Sequence, residues 1–318
     1  MTVFLNGPKA PTATHPAFQS TRRHAGSSSY NRKEMQRRRT LLVRQSSAQE
    51  LPSTPPLLPE DATPSDGEVV PVVKALPPAD ERYQHFTKVL VVGATGGVGK
   101  AVTRQLADQG IPVRAFVRNA VRASSMLPSA EQKVDILEGD VYNFRDCQRA
   151  MQGCEAVICT TGPTDRWNPL SPFQVDFQGT QNLVAAAQQS GIKKFVFVSS
   201  IGADDILNPL NAFYGVLFWK KQGELAVQRS GIDYTIIRPG GLLNEPRNGR
   251  GVGGIVGLRP DSFGLPPRRM AGAICRSDVA EGCVAALVEP SASNKVIEVI
   301  AQGSQPRRPW TEIFASVE

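Results

Sequence analysis

The chain has 318 residues, a formal charge of +7 and 41% hydrophobic residues, a size that suits one large or two small folded domains. Residues 1–49 contain nine Lys or Arg and one acid, Glu34, which leaves 27 basic and 28 acidic residues in the remainder. A nucleic-acid-binding protein carries its basic surface on the folded domain. The near-neutral remainder therefore argues against nucleic acid as a partner.

Residues 1–49 have the composition of an organelle transit peptide. They are rich in Ser, Thr, Ala and Arg, and they lack an apolar segment long enough for a secretory signal. A disordered basic tail is the alternative. Residues 50–85 contain eight prolines and predict an extended, poorly ordered linker. Because no stretch of about 18 consecutive apolar residues occurs, no transmembrane span is expected.

The cysteines give no sign of a disulfide framework or a metal site. They are odd in number and lack Cys-x-x-Cys spacing: Cys147, Cys154, Cys159, Cys275 and Cys283. We expect five reduced, buried thiols and no metal.

From residue 86 onward, short apolar runs alternate with helical patterns, which is typical of a parallel sheet covered on both faces. The predicted strands are Val89–Val92, Val113–Val117, Val134–Leu137, Ala156–Cys159, Phe195–Val198, Tyr234–Ile237 and Val296–Ile300. Helices are predicted near residues 97–109, 119–126, 143–152, 173–190, 211–230 and 277–289. The pattern indicates a single α/β domain over residues 86–318, doubly wound in the Rossmann manner, with a seven-stranded, mostly parallel sheet.

A glycine-rich turn follows the first predicted strand. Gly93, Gly96 and Gly99 recur at three-residue spacing before an amphipathic helix. Such a turn lets the backbone approach a pyrophosphate while the helix N-terminus points its N–H groups at the negative charge. The candidate contacts are Gly93, Thr95, Gly96, Gly97, Val98 and Gly99.

Small or polar residues also follow the next five strands. Parallel sheets bind ligands at the carboxyl ends of their strands. The candidates at these ends are Arg118 and Asn119, Asp140 and Val141, Thr160, Thr161 and Gly162, Ser199 and Ser200, and Pro239 and Gly240. We expect Asp140 and Val141 to flank an adenine and residues 160–162 to pass beneath the second ribose.

Arg118 indicates which dinucleotide binds. It lies 25 residues after Gly93, where an NAD-specific fold places a carboxylate for the ribose hydroxyls. A guanidinium at this point suits a 2′-phosphate and stacks on adenine. NADP(H) is therefore favoured over NAD(H), with a solvated arginine as the alternative.

Five segments together resemble a known family: Val92–Gly99, Phe116–Asn119, Glu138–Val141, Phe195–Gly202 and Tyr234–Gly241. They are similar to the atypical short-chain dehydrogenase/reductases with an NmrA-like NAD(P)-binding domain. Within that family, the chain looks most like a plastid and cyanobacterial branch that includes the redox-sensing component of the inner-envelope translocon. The resemblance covers about residues 86–318 and implies a chloroplast protein of the stroma, with peripheral contact to thylakoid or envelope as a further option.

The family's hydride chemistry uses a Ser, a Tyr and a Lys four residues after that Tyr. The resemblance assigns the serine to Ser199 or Ser200 and the lysine to Lys220, which leaves Val216 at the tyrosine position. It also implies that Lys220 binds the cofactor ribose, with direct action as a base as the alternative in relatives that lack the tyrosine. On a helix over 211–230, Tyr214 would face nearly away from Lys220, so we interpret it as a packing residue, with a displaced proton donor as the alternative. Its neighbour Lys221 is expected to be solvated.

Two functions remain open from the sequence. The first is a reductase of a small carbonyl or unsaturated substrate using Lys220, Ser199 or Ser200, and Tyr214. The second is a non-catalytic NADP(H)-binding redox sensor or assembly factor for photosynthetic complexes, with an unknown protein partner. The segments 163–172 and 245–260 are candidate lids, and residues 310–317 predict a short docking helix.

Overall fold

The computed structural model describes residues 86–163, 167–264 and 271–317. The predicted transit peptide and linker, and Arg166 of the first candidate lid, lie outside the described residues. Within the described residues one sheet contains ten strands: β1 Val89–Val92, β2 Val113–Val117, β3 Val134–Glu138, β4 Ala156–Cys159, β5 Lys194–Val198, β6 Asp233–Pro239, β7 Gly241–Leu243, β8 Gly254–Leu258, β9 Ala273–Cys275 and β10 Lys295–Gln302.

Helices connect the strands and cover the sheet. They are α1 Gly97–Asp108, α2 Ala120–Ser124, α3 Phe144–Met151, α4 Thr180–Gln189, α5 Val216–Gln228, α6 Arg276–Ala285 and α7 Trp310–Ala315. A π-helical segment, Phe173–Gly179, runs directly into α4. Short 3₁₀ turns span Ala130–Gln132, Pro209–Ala212 and Pro290–Ala292.

The strand order is β3-β2-β1-β4-β5-β6-β10, and all neighbours in this row are parallel. The order reverses at β1, which pairs with β2 on one side and β4 on the other. Strands β8 and β9 pair antiparallel with β10, and β7 pairs with β9. The predicted Rossmann-type, mostly parallel sheet is confirmed.

The predicted count of seven strands is wrong, although all seven predicted strands form. The additional strands β7 and β9 have three residues each, too few for a periodic pattern. Strand β8 contains Gly254 and Gly257, which weaken a strand signal, and it lies inside the segment predicted as a lid. Antiparallel pairing with β10 forms this strand.

The core consists of one apolar layer on each face of the sheet. Successive side chains of a strand point to opposite faces, so Val89 and Val91 pack with α1 and α6, while Leu90 and Val92 pack with α3 and α4. This two-sided burial explains why the strands are continuous apolar runs. The five cysteines are buried and unpaired, as predicted.

Helix α5 begins at Val216, five residues later than predicted. Tyr214 and Gly215 have φ angles of 57° and 69°, in the left-handed region that interrupts a right-handed helix. The Asn211 side-chain oxygen accepts the N–H groups of Leu217 and Phe218, both at 3.0 Å, and so caps the new helix. Across the described ranges, no helix has the length and apolar character needed to cross a bilayer.

Candidate functional site

A groove opens at the carboxyl ends of β1 to β4. Its predicted lining residues are Gly93, Thr95, Gly96, Arg118, Asp140, Val141, Thr160, Thr161 and Gly162. Sequence reasoning missed Val92, Phe116, Val117, Gly139, Tyr142 and Val175. Four strand ends thus contribute to one concave surface, as the parallel order requires.

The glycine turn brings backbone close to this groove. Gly93 adopts a φ of 79°, and its carbonyl oxygen accepts the Gly96 N–H at 2.8 Å. A methyl group on Gly99 would overlap that same oxygen and lie 2.7 Å from Thr160 Oγ1. Only glycine fits there, because the neighbouring atoms belong to the turn itself.

The N-terminus of α1 presents unsatisfied donors. Its N-cap is Gly96, which has no side chain to cap the helix, and the first turn contains no acid. The N–H groups of Gly97 and Val98 have no acceptor in the described part of the chain. The Val98 side chain is buried in the core, so this residue offers only its backbone. The arrangement fits a bound pyrophosphate.

The outer end of the groove combines a cation, a carboxylate and a phenol. Arg118 is exposed and lines the groove beside Asp140, whose Oδ1 accepts the Tyr142 N–H at 3.1 Å. The pKa of Tyr142 is raised by burial and by Asp140, while Arg118 opposes the shift. Tyr142 follows β3 by four residues. Its position near a strand end was therefore the feature of the sequence that could have identified it as a groove residue. Asn119 instead accepts the Arg122 N–H at 2.7 Å and caps α2.

Lys220 is fixed by several contacts at the inner end of the groove, beside the carboxyl ends of β4 and β5. Its Nζ donates to Asp176 Oδ1 at 2.9 Å, to the Thr161 carbonyl oxygen at 3.1 Å and to the Val198 carbonyl oxygen at 3.5 Å. The ammonium also lies 5.5 Å from the centroid of the Phe197 ring. These contacts fix a positive charge next to Thr161, which lines the groove.

Asp176 is the principal residue that sequence reasoning missed. It is fully buried in the π-helical segment, and its Oδ2 has no hydrogen-bond partner among the described residues. Burial raises its pKa, although Lys220 opposes the shift. One feature of the sequence could have identified Asp176: it is a carboxylate between Val175 and Phe177, two apolar residues that imply a buried position. Single π-helical turns are frequent at functional sites.

The two serines at the end of β5 differ in their surroundings. Ser199 is buried, and within the described residues its Oγ has no hydrogen-bond partner. Ser200 is partly exposed, and its Oγ donates to the Ile201 carbonyl oxygen at 3.1 Å. Lys220 binds the Val198 carbonyl, directly before Ser199. The lysine and this serine are therefore neighbours at one strand end.

Tyr214 does not join this group. It precedes α5, so the helical rotation assumed for it does not apply. Its side chain is half exposed, and within the described residues Lys220 contacts Asp176, Thr161, Val198 and Phe197 instead. Val216 is the first residue of α5, four before Lys220. The described residues therefore contain no Tyr–Lys pair of the kind that reductases of this type use.

The end of β6 does not line the groove. It contributes Arg238 to a buried cluster of charged side chains. Arg238 is 1% exposed and forms a two-pronged pair with Glu224, with Nε–Oε1 and Nη2–Oε2 distances of 2.8 and 2.6 Å. It also donates to Asp204 and Glu298. Lys221, predicted to be solvated, pairs with Asp204 and Glu224. The prediction for Lys221 is wrong, because a cluster of three carboxylates, two of them fully buried, favours a second cation nearby.

Pro239 and Gly240 lie outside the groove lining. The Gly240 N–H donates to the Val299 carbonyl oxygen at 3.0 Å, and a side chain on Gly240 would collide with the Gly272 carbonyl oxygen. These contacts bind β6 to its neighbours in the sheet. The cofactor roles predicted for both residues stay predictions.

Comparison with known proteins agrees with this geometry. A family model described as NAD(P)H-binding matches residues 93–290. An uncharacterized chloroplastic protein of Arabidopsis thaliana, At2g34460, is 39% identical over 242 residues, covering 73% of this chain and 82% of its own length. The chloroplastic protein TIC 62 of rice is 31% identical over 264 residues, covering 76% of this chain and 52% of that protein.

A solved structure, the anaerobilin reductase ChuY of Escherichia coli, superposes with a TM-score of 0.55 at 25% identity. The match covers 69% of this chain and all of that one. The glycine turn, the groove, the reversal of strand order at β1 and the family match agree. The chain belongs to the NAD(P)H-binding Rossmann-like family, as an NmrA-like, atypical short-chain dehydrogenase/reductase of the plastid and cyanobacterial branch.

Proposed function

We propose that the protein is a plastid reductase that binds NADP(H) and reduces a conjugated, unsaturated substrate. The observation that carries the proposal is the shared sheet edge: the glycine turn and Arg118 line one groove, and Lys220 is fixed beside Thr161 at its inner end. When bound, the cofactor supplies a hydride. Residues 1–49 act as the transit peptide, which their composition and the chloroplastic relatives support.

The preference for NADP(H) rests on Arg118. A guanidinium at the end of β2 binds a 2′-phosphate through charge-assisted hydrogen bonds, whereas NAD(H) carries no phosphate there. Tyr142, opposite Arg118 in the groove, adds an aromatic surface for the adenine. Asp140 is held by the Tyr142 N–H, so it orients this part of the wall.

The substrate class follows from the missing tyrosine. Reducing an isolated carbonyl creates an alkoxide, a strong base that needs a positioned proton donor. A conjugated acceptor spreads the charge over several atoms, so its anion is a weaker base and takes its proton from water. Lys220, whose Nζ is fixed by a hydrogen bond to Asp176, stabilises the negative charge that develops. Ser199 is placed to donate a hydrogen bond from the same strand end.

A titration tests the cofactor assignment. NADPH and NADH are titrated into the full-length chain and into Arg118→Ala, with Arg122→Ala as the matched control on the exposed side of α2. Because a hydrogen bond to a charged group contributes about 1.5–3 kcal/mol, we expect Arg118→Ala to weaken NADPH by about tenfold or more and NADH hardly at all. Equal losses for both dinucleotides would contradict the assignment.

A turnover assay tests the reaction. Oxidation of bound NADPH is followed by nicotinamide absorbance with a linear tetrapyrrole, a quinone and a saturated ketone. The first two are expected to be reduced and the third is not.

A non-catalytic sensor or assembly factor is the second candidate. Exposed apolar side chains between β5 and α5 favour it, namely Ile206, Leu207, Leu210 and Phe213. Tight NADPH binding with no turnover of any acceptor would favour this candidate.

A further inference from the structure

Arg276, the first residue of α6, is distant from the glycine turn in sequence, but its side chain lies against that turn. A methyl group on Gly97 would lie 2.5 Å from both Cδ and Nε of Arg276. The side chain therefore crosses directly over the first residue of α1. Nothing in the sequence pattern links residue 276 to the turn, because 178 positions separate it from Val98 and no motif spans them.

The guanidinium is only partly satisfied. Its Nη1 donates to Asn244 Oδ1 at 2.9 Å and to the Leu242 carbonyl oxygen at 3.3 Å. Within the described ranges its Nε and Nη2 hydrogens have no acceptor. Asn244 and Leu242 thus hold Nη1 of the planar group, and Nε lies beside Gly97.

The position is electrostatically unfavourable for a cation alone. A helix N-terminus carries a partial positive charge, and a cation placed there is destabilised. Arg276 meets two such ends, because it begins α6 and its side chain lies over the start of α1. The acid in the first turn of α6 is Asp278, which faces Arg307 at 3.7 Å and makes no ion pair with Arg276 among the described residues. A bound anion would turn both repulsions into attraction.

We propose that Arg276 is a binding residue for the pyrophosphate of the dinucleotide, which it contacts together with the N–H groups at the start of α1. The proposal rests on the proposed function, since it uses the same groove. Arg118 and Arg276 would then bind different phosphates of the cofactor. Arg118 selects the 2′-phosphate of NADPH, and Arg276 binds the pyrophosphate that NADPH and NADH share. A side chain at position 97 would displace Arg276 from this path.

The test uses the full-length chain with Arg276→Met, which keeps an unbranched side chain out to the position of Nε and removes the charged group. NADPH, NADH and adenosine 2′-monophosphate, which lacks a pyrophosphate, are titrated into each variant. We expect Arg276→Met to weaken both dinucleotides by the same factor, about tenfold for a loss of about 1.4 kcal/mol. Its affinity for adenosine 2′-monophosphate is expected to stay at the wild-type value. Arg276→Lys restores part of the loss, because it keeps the charge without the planar fork.

The matched control is Gln105→Ala, which removes a side-chain hydrogen bond between α1 and α6, from Gln105 Nε2 to the Ser277 carbonyl oxygen at 3.0 Å. It is expected to bind like the wild type. Unchanged dinucleotide binding in Arg276→Met, an equal loss in Gln105→Ala, or a loss for adenosine 2′-monophosphate would overturn the proposal. If the wild type bound neither dinucleotide, the proposed function would fail first. Arg276→Gln replaces Arg276→Met if the latter does not fold.

Discussion

Replacing Lys220 by Met tests the buried ion pair at the centre of the site. The pair joins Lys220 Nζ and Asp176 Oδ1 at 2.9 Å, with side chains that are 11% and 0% exposed. Met fills a similar volume but leaves the Asp176 carboxylate without a cation. The carbonyls of Thr161 and Val198 also lose a donor.

The expected loss is large because a lone buried charge is expensive. Removing one partner of a buried pair costs about 3–5 kcal/mol. For a domain of this size, 1 kcal/mol shifts the melting temperature by about 2–4 °C, so Lys220→Met is expected to melt about 6–20 °C lower. Asp176→Asn combined with Lys220→Met removes both charges, and we expect this double variant to be more stable than Lys220→Met alone.

The loss is expected to depend on pH with a defined sign. Burial raises the pKa of Asp176 in the folded protein, so its stabilising contribution is full below the unfolded value and falls as pH rises through the folded value. Without Lys220 the folded pKa rises further. The deficit of Lys220→Met in urea unfolding should therefore be greater at about pH 8 than at about pH 5. A deficit independent of pH, or a double variant as unstable as the sum of both singles, would refute this reasoning.

Two other substitutions follow from contacts already described. Gly99→Ala puts a methyl group into the Gly93 carbonyl oxygen, so we expect the turn to distort and titrations to show loss of both dinucleotides; wild-type affinity would contradict the described turn. Arg238→Met leaves the buried Glu298 without its ion-pair partner and leaves Glu224 with Lys221 Nζ at 3.4 Å, and urea unfolding is expected to show a loss of about 3–5 kcal/mol. A loss typical of surface positions, within about 0.5 kcal/mol, would indicate that the cluster is solvated.

The parallel half of the fold was predictable because its strands are buried on both faces. Val89–Val92, for example, is apolar at every position, and its bounds agree with the prediction. Strands β7, β8 and β9 were not predictable, since β8 and β9 pair with β10 and β7 pairs with β9. In addition, β7 and β9 have only three residues each, and two glycines interrupt the pattern of β8. Local sequence patterns predict strands whose own residues form a continuous apolar run. They do not predict strands that form only because a segment distant in sequence pairs with them.

The groove was predictable to a similar extent. Residues placed at strand ends by the parallel topology do line it, including Arg118 and Thr160. Asp176 was missed because a single carboxylate in a helical segment has no local pattern, and its contact with Lys220 depends on how two distant segments pack. Arg276 was missed because its approach to Gly97 depends on how α6 packs against α1, which no local spacing encodes.

The charge cluster around Arg238 has a consequence for motion. Its guanidinium binds Asp204, in the segment after β5, and also Glu298, whose carboxylate accepts the N–H groups of Asp261 and Phe263 after β8 at 3.0 and 2.9 Å. The first segment is thus bonded to the guanidinium directly, and the second is linked to it through Glu298. Displacing either segment breaks a hydrogen bond of this one cluster, so the order of the two segments is coupled through Arg238.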